Sequence, residues 1–196
     1  MILDNLTKRR SCYALTDKST LSAEQIRALV QTAVKYTPSA FNSQSTRAVV
    51  LLGEHHHALW HIAREALRRI VPADKFAPTE AKINSFDAAH GTVLYFEDWT
   101  AVEGLQAQFP AYKDNFPLWA YQANAMAEFI VWTALADAGM GASLQHYNPL
   151  IDEEVKKHFD LPASWKLIAQ MPFGVAEAAP EEKTFLPVDG RVLLKK

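Results

Sequence analysis

The chain has 196 residues, 49% hydrophobic and 21% charged, with one cysteine and a formal net charge of −2. A single cysteine, Cys12, excludes an internal disulfide framework and suits a reducing compartment. A pI of about 6.4 makes the whole chain a poor electrostatic match for nucleic acid or anionic lipid, so neither is expected as a partner.

The first ten residues carry no apolar core ahead of a small-residue cleavage site. No secretory signal is expected, and the cytoplasm is the expected setting. The length suits a single domain over residues 1–196.

Residues 22–37 read as a helix. Ser22 with Gln25 forms a capping-box pattern, and Ile26, Leu29, Val30, Ala33 and Val34 follow at helical spacing. Pro38 ends it. Residues 47–52 are short, apolar and partly β-branched, a buried strand closed by Gly53. Residues 54–71 put Leu59, Ile62, Ala63, Ala66, Leu67 and Ile70 on one helical face, up to Pro72.

A short helix is predicted over 79–88 and a strand over Gly91 to Phe96. Residues 99–116, rich in aromatics, are a weaker amphipathic piece and a candidate lid. Pro117 opens a long helical pattern that runs to Asp137 before Gly139. Residues 152–159 form a further short helix and Lys166 to Val175 a third strand. The tail from Glu177 has little periodicity before Arg191-Val192-Leu193-Leu194. Three strands among about five helices predict an α+β fold or three-layer sandwich.

At ~1.5 Å per residue the pattern over 117–138 is ~33 Å long, enough to cross a bilayer. Gln122, Asn124, Glu128 and Asp137 argue against crossing, since a charge at mid-span costs ~2.5–3.5 kcal/mol. It reads as a central core helix, with a subunit interface on one face as the sharper alternative.

Four polar constellations stand out. Arg9-Arg10-Ser11 has the makings of a phosphate clamp, because guanidinium binds phosphate oxygens bidentately; solvated cations at a helix end are the rival reading. The loop from Thr37 to Arg47 packs short hydroxyl and amide side chains that suit the edge of a planar heterocycle, or ordinary turn chemistry. Gly139 to Tyr147 begins with a helix-capping glycine and is no dinucleotide fingerprint. Lys183 and Arg191 are two tail cations able to fold back onto a phosphate, or simple surface charge.

His57 and His61 have an i, i+4 spacing that can hold a metal, but a solvated helix start is the reading preferred for His55, His56, His57 and His61. Cys12 reads as a small buried apolar residue. The acidic residues offer no paired-carboxylate spacing that places two in one pocket.

These pieces, in this order, resemble the nitroreductase family of FMN flavoproteins. Arg9-Arg10-Ser11, Pro38-Ser39-x-x-Asn42-x-Gln44, Gly91-Thr92-Val93-Leu94, Gly139-x-Gly141-Ala142-Ser143-Leu144-Gln145 and a late Lys183 carry the likeness. The Pro38–Gln44 and Gly139–Tyr147 stretches look most like the small fatty-acid-repression-type and copper-induced branch.

The resemblance implies a three-layer sandwich with a central, mostly antiparallel sheet, in a homodimer with two FMN sites at the interface. It places Arg9 and Ser11 on the phosphate, with Arg10 beside them and Lys183 and Arg191 closing on it. Ser39, Asn42 and Gln44 would meet the isoalloxazine ring and ribityl chain, and Leu144, Gln145 and His146 would approach from another side. It implies hydride transfer from NADH or NADPH through flavin N5 to a nitroaromatic, quinone or similar small acceptor. Both partners use one face in turn, giving ping-pong kinetics without a catalytic side chain or metal.

Tyr13 stands where many members carry a basic residue, and Ser45-Thr46-Arg47 where many carry Pro-Trp. Lys82 and Arg47 are therefore the candidate cations for the reduced ring. A flavin-binding sensor or storage protein is the alternative on the same fold.

Overall fold

The structure is a computed structural model that describes residues 2–196. The elements in order are α1 (Ile2–Lys8), α2 (Ala23–Tyr36), β1 (Thr46–Leu52), α3 (Glu54–Arg68), α4 (Phe76–Asp87), β2 (Gly91–Asp98), α5 (Trp99–Gln108), α6 (Phe116–Asp137), β3 (Gly141–Ala142), α7 (Asp152–His158) and β4 (Trp165–Gly174).

The strands form one sheet in the order β1-β2-β4-β3, and each neighbouring pair is antiparallel. Central β2 is buried on both faces, which explains its run of apolar residues without polar alternation. Side chains alternate across the sheet. Leu51, Leu94, Phe96 and Leu167 face α3, α4 and α7, where Leu59, Trp60, Ile83, Phe86 and Val155 close one core. Val93, Tyr95, Ala169, Met171 and Phe173 face α2 and α6, where Ile26, Val30, Val131 and Leu135 close the other. Helices on both faces of an antiparallel sheet make the expected three-layer α+β sandwich.

Local signals explain the boundaries. The Ser22 hydroxyl accepts from the Gln25 N–H, and the Gln25 side chain accepts from the Ser22 N–H, which completes the capping box. Gly139 takes φ 82° at the end of α6, and the Met140 N–H reaches back to the Leu135 carbonyl at 2.9 Å. That left-handed turn is the glycine-dependent cap expected there.

The structure adds to the predicted pattern in four places. The sheet has a fourth strand, β3, whose two residues are too short for any periodicity. The helix α4 begins at Phe76 rather than 79, with Pro78 in its first turn, where a missing N–H is harmless. The helix α3 ends at Arg68 rather than 71. Arg191 to Leu194 form no strand and are exposed. Among the described residues no helix is long and apolar enough to cross a membrane.

Candidate functional site

Two cavities gather expected site residues. The first is built where the two ends of the chain meet. After α1 the backbone runs along the sheet edge, with Cys12 N–H on the Ala142 carbonyl at 2.9 Å. A Cβ on Gly141 would lie 2.7 Å from the Cys12 Cβ, so the close approach of this segment requires glycine there. The tail zips back against the same segment, through Thr16 N–H to Val175 O and Glu177 N–H to Ala14 O.

Arg9, Arg10, Ser11 and Lys183 thereby line one cavity of about 620 Å³, a size suited to a cofactor. An Arg10 N–H donates to the Glu181 carbonyl. The Arg9 guanidinium lies 4.3 Å from the Trp132 ring centroid, and its buried Nε has no acceptor. Burial, then the charge of Arg10, lowers the Arg9 pKa. Three cations, a hydroxyl and an unpaired donor suit a phosphate-sized anion.

The second cavity, about 410 Å³, lies between the end of α2, the start of β1 and α6. Ser39, Gln44, Thr46, Arg47 and Lys35 supply its polar wall, and Val30, Val34 and Ala123 its apolar one. The loop that presents them is strained. Phe41 (φ 54°), Asn42 (φ 52°) and Gln44 (φ 47°) are non-glycine residues in the left-handed region. Asparagine tolerates that region; phenylalanine is held there by packing. The Phe41 ring lies 4.7 Å from Phe109, 5.4 Å from Phe116 and 6.1 Å from Trp119. The Gln44 N–H donates to Ser39 Oγ at 3.0 Å, and Arg47 donates to the Gln44 carbonyl at 2.7 Å. A shallower apolar hollow with Phe41, Trp119, Gln122 and Met126 on its walls adjoins this cavity and shares Ser39 with it.

The nitroreductase family profile matches residues 6–175. The chain belongs to the nitroreductase family. It is 39% identical to HBN1 of Saccharomyces cerevisiae over 189 residues, 95% of this chain and 94% of that one. It is 35% identical to the nitroreductase FRM2 of the same yeast over 186 residues, 94% and 92% of the two chains. It also superposes on the nitroreductase CinD of Lactococcus lactis, in a complex with chloramphenicol, with a TM-score of 0.92 and 43% identity, both chains covered in full. Like its family, this nitroreductase is an oxidoreductase; family members generally use a flavin and a nicotinamide donor.

Within this nitroreductase the expected site residues fall into groups. Arg9, Arg10, Ser11 and Lys183 share the first cavity; Arg191 lies in the exposed tail and does not line it. Ser39 and Gln44 line the second; Asn42 is exposed on the adjoining turn. Gln145 is buried, pairing with Gln170 through both backbone groups and donating to Ser143 Oγ at 3.0 Å. Leu144 packs into the α2/α6 core, and His146 is exposed. Tyr13 lines the first cavity. Of the two candidate cations, Arg47 lines the second cavity and pairs with Asp98 at 3.0 Å. Lys82 projects from α4 toward the Phe86 ring, on the opposite side of the sheet. Cys12 is half-buried, and burial raises its thiol pKa, so it is no ready nucleophile.

The histidines correct the expectation in part. His55, His57 and His61 are exposed, but His56 is buried at 1% exposure. Its Nε2 bonds the Asp87 carbonyl, which can only accept, so Nε2 carries the proton and Nδ1 accepts from the Thr92 hydroxyl. Burial first of all lowers its pKa to about 4, and it stays neutral. The metal-capable group found among the described residues is His56, His57 and Asp87, not His57 with His61. Asp87 is already held by His57 at 2.8 Å and Arg64 at 3.1 Å, and both His56 nitrogens are engaged.

The carboxylates add a feature that their spacing did not announce. Glu97 on β2 and Glu128 on α6 are both buried, and neither lines a cavity described above. Thr46 Oγ1 donates to Glu97 Oε1 at 2.7 Å, and Asn124 Nδ2 donates to the same oxygen at 2.8 Å. Burial, then the charge of Glu97, raises the Glu128 pKa to about 7. The signal was the i, i+4 spacing of Asn124 and Glu128 inside an apolar helix.

Proposed function

We propose that the chain is an FMN-dependent NAD(P)H oxidoreductase acting on nitroaromatics, quinones or similar small acceptors. The observation that carries this is the first cavity, where cations distant in sequence converge on one space and leave the Arg9 Nε donor unpaired. That donor set fits the phosphate of a mononucleotide. FMN, when bound, supplies two-electron chemistry between a reduced nicotinamide, NADH or NADPH, and the acceptor.

The chain's own residues bind and orient. Arg9, Arg10, Ser11 and Lys183 hold the phosphate, with Arg191 free to close on it. Ser39, Asn42 and Gln44 offer hydroxyl and amide groups to the ring edge, Arg47 offers a cation, and Leu144, Gln145 and His146 approach from the β3 side. The aromatics from Trp99 to Trp119 gather over Phe41 as a lid on an apolar hollow. CinD complexes with 4-nitrophenol and nicotinic acid support a hollow that takes flat rings in turn, and hence a ping-pong order. The whole chain, 1–196, serves as one cofactor-binding domain in the cytoplasm.

The two cavities are separate in one chain, and a second copy can bring one beside the other. Leu118, Met126, Phe129 and Ile130 of α6 are exposed, as are Phe185, Leu186 and Val192 to Leu194 of the tail. That much exposed apolar surface supports a homodimer.

Purified protein is expected to be yellow, and Arg9→Ala is expected to weaken FMN binding about 10- to 100-fold, the loss of a charge-assisted contact. A colourless protein that ignores added FMN overturns the reading, and unchanged affinity in the variant overturns the clamp. A sedimentation mass equal to the monomer's 21.9 kDa at micromolar concentration overturns the dimer.

A further inference from the structure

The three cations of the first cavity are held in different ways. Arg10 is tied to the tail by an N–H bond to the Glu181 carbonyl. Lys183 lies 5.4 Å from the Phe185 ring centroid, within the tail itself. Arg9 is held by two rings of α6. Its guanidinium is 4.3 Å from the Trp132 ring centroid and 6.0 Å from that of Phe129. Phe129 and Trp132 are three positions apart, so they stand side by side on one helical face. The Trp132 ring is itself seated by packing against the core that α2, α6 and the sheet close.

The backbone brings Arg9 to this face. The helix α1 packs along α6, with Lys8 Nζ 3.5 Å from the Asp137 carboxylate. The Arg9 N–H bonds the Asn5 carbonyl at 3.1 Å. Arg9 therefore leaves the last turn of α1 with its main chain fixed and only its side chain to be placed. Among the described residues no carboxylate pairs with Arg9, and its buried Nε has no acceptor.

The kind of holder matters. A carboxylate on a guanidinium takes its edge donors and cancels its charge, and a phosphate would then lose both. A ring touches only the face of the planar group. Stacking orients it and leaves the in-plane N–H groups free. A buried cation with an unpaired donor is costly, and an anion entering the cavity recovers that cost.

We propose that Trp132 is a positioning residue: its indole face holds the Arg9 guanidinium edge-on to the first cavity, so that the whole charge and the free N–H groups of Arg9 meet the flavin phosphate. This rests on the reading of that cavity as the FMN phosphate site. Trp132 does not line the cavity and acts through Arg9. It thereby sets the preference for FMN over riboflavin, which has the same ring and ribityl chain without the anion.

The first test needs no flavin. In apo protein labelled with ¹⁵N at arginine, the Arg9 Hε resonance is assigned by its absence in Arg9→Ala. The indole ring current should place it upfield of the other arginines, and Trp132→Leu should abolish that shift. An Arg9 Hε at the ordinary arginine position in the wild type overturns the stack.

The second test is the binding of FMN and of riboflavin, each followed by flavin fluorescence. Trp132→Leu should weaken FMN about tenfold and riboflavin less than about twofold. Trp132→Phe keeps a ring face and loses the indole N–H, and its FMN affinity should stay within about threefold of the wild type. In an Arg9→Ala background Trp132→Leu should cost less than about twofold in FMN affinity, because its effect passes through Arg9. Equal losses of FMN and riboflavin, or the full loss in the Arg9→Ala background, make Trp132 a packing residue and overturn the proposal. A Phe variant as weak as the Leu variant overturns the role of the ring face. A wild type that binds riboflavin as tightly as FMN overturns the phosphate reading instead, and the Arg9 resonance still reports the stack.

Discussion

The two faces of the sheet treat buried polar groups in opposite ways. Against α3 and α4 the chain through His56 is closed: Trp60 Nε1–H donates to the Thr92 hydroxyl at 3.1 Å, that hydroxyl donates to His56 Nδ1, and His56 Nε2–H donates to the Asp87 carbonyl, with Arg64 Nε the one buried atom left without a partner beside it. Against α6 the chain is open: Glu97 Oε2, Asn124 Oδ1 and Trp132 Nε1 have no partner. The closed face holds the fold, and the open face borders the cavities. Natural chains leave such rules unmet where a site needs the freedom.

The closed face should break the hardest. Thr92→Val keeps the shape but leaves the Trp60 N–H and His56 Nδ1 without partners in a core where Thr92 has no exposure. Each stranded group costs ~1–3 kcal/mol, so a loss of about 2–5 kcal/mol is expected. Urea unfolding measures it, and FMN affinity per folded molecule should not change. Loss of cofactor affinity without loss of stability would contradict the division between the faces.

The same division decides what was legible in the sequence. Features carried by neighbours along the chain were readable: the Ser22–Gln25 box, the Gly139 cap and the strand at Gly91. The first cavity was readable in part because Arg9, Arg10 and Ser11 are contiguous; Lys183 was named beside them as a tail cation, and only the fold shows that it joins them. What was not readable depends on register across the sheet. Burial of His56 requires Thr92, thirty-six positions on, to face the same side as Trp60. The Glu97–Asn124 contact requires β2 and α6 to meet at those two residues. The strand β3 exists because Gly141 and Ala142 pair with Gly174 and Phe173, not because two residues have a pattern.

Titration sharpens the contrast, since the two faces give opposite slopes. His56 has its pKa lowered from 6.5 to about 4, so the folded state binds fewer protons there than the unfolded state. Its contribution is present above pH 6.5 and is lost as pH falls toward 4. Glu128 has its pKa raised from 4.5 to about 7, so the folded state binds more protons. Its contribution is present below pH 4.5 and is lost as pH rises through 7. Each is worth about 3 kcal/mol over its full window, or ~6–12 °C in a domain of this size.

Between about pH 4.5 and 6.5 the slopes oppose, and the wild type is expected to change little in Tm. Glu128→Gln should expose the histidine slope, with Tm rising from pH 4 to 6.5 and then level. His56→Gln should expose the carboxyl slope, with Tm falling from pH 4.5 to 7. Identical pH profiles for the two variants would remove the distinction between the faces.

The smallest expected effect on stability comes from Phe41, which sits at the rim of the open face with half its surface exposed. Its φ of 54° costs about 1–2 kcal/mol for a bulky side chain, and asparagine relieves most of that. Its ring contacts with Phe109, Phe116 and Trp119, at the low end of ~0.5–1.5 kcal/mol for each aromatic pair because the ring is half exposed, give back about 1.5 kcal/mol. Phe41→Asn should therefore leave stability within about 1 kcal/mol of the wild type, because strain and stacking are removed together. With Trp119 and Met126 the ring walls the apolar hollow. KM for a nitroaromatic should rise several-fold in the variant, with a smaller change in FMN affinity, because the phosphate-sized cavity of Arg9, Arg10, Ser11 and Lys183 is untouched. A large fall in stability with no change in KM would make Phe41 part of the closed core rather than the rim of the site.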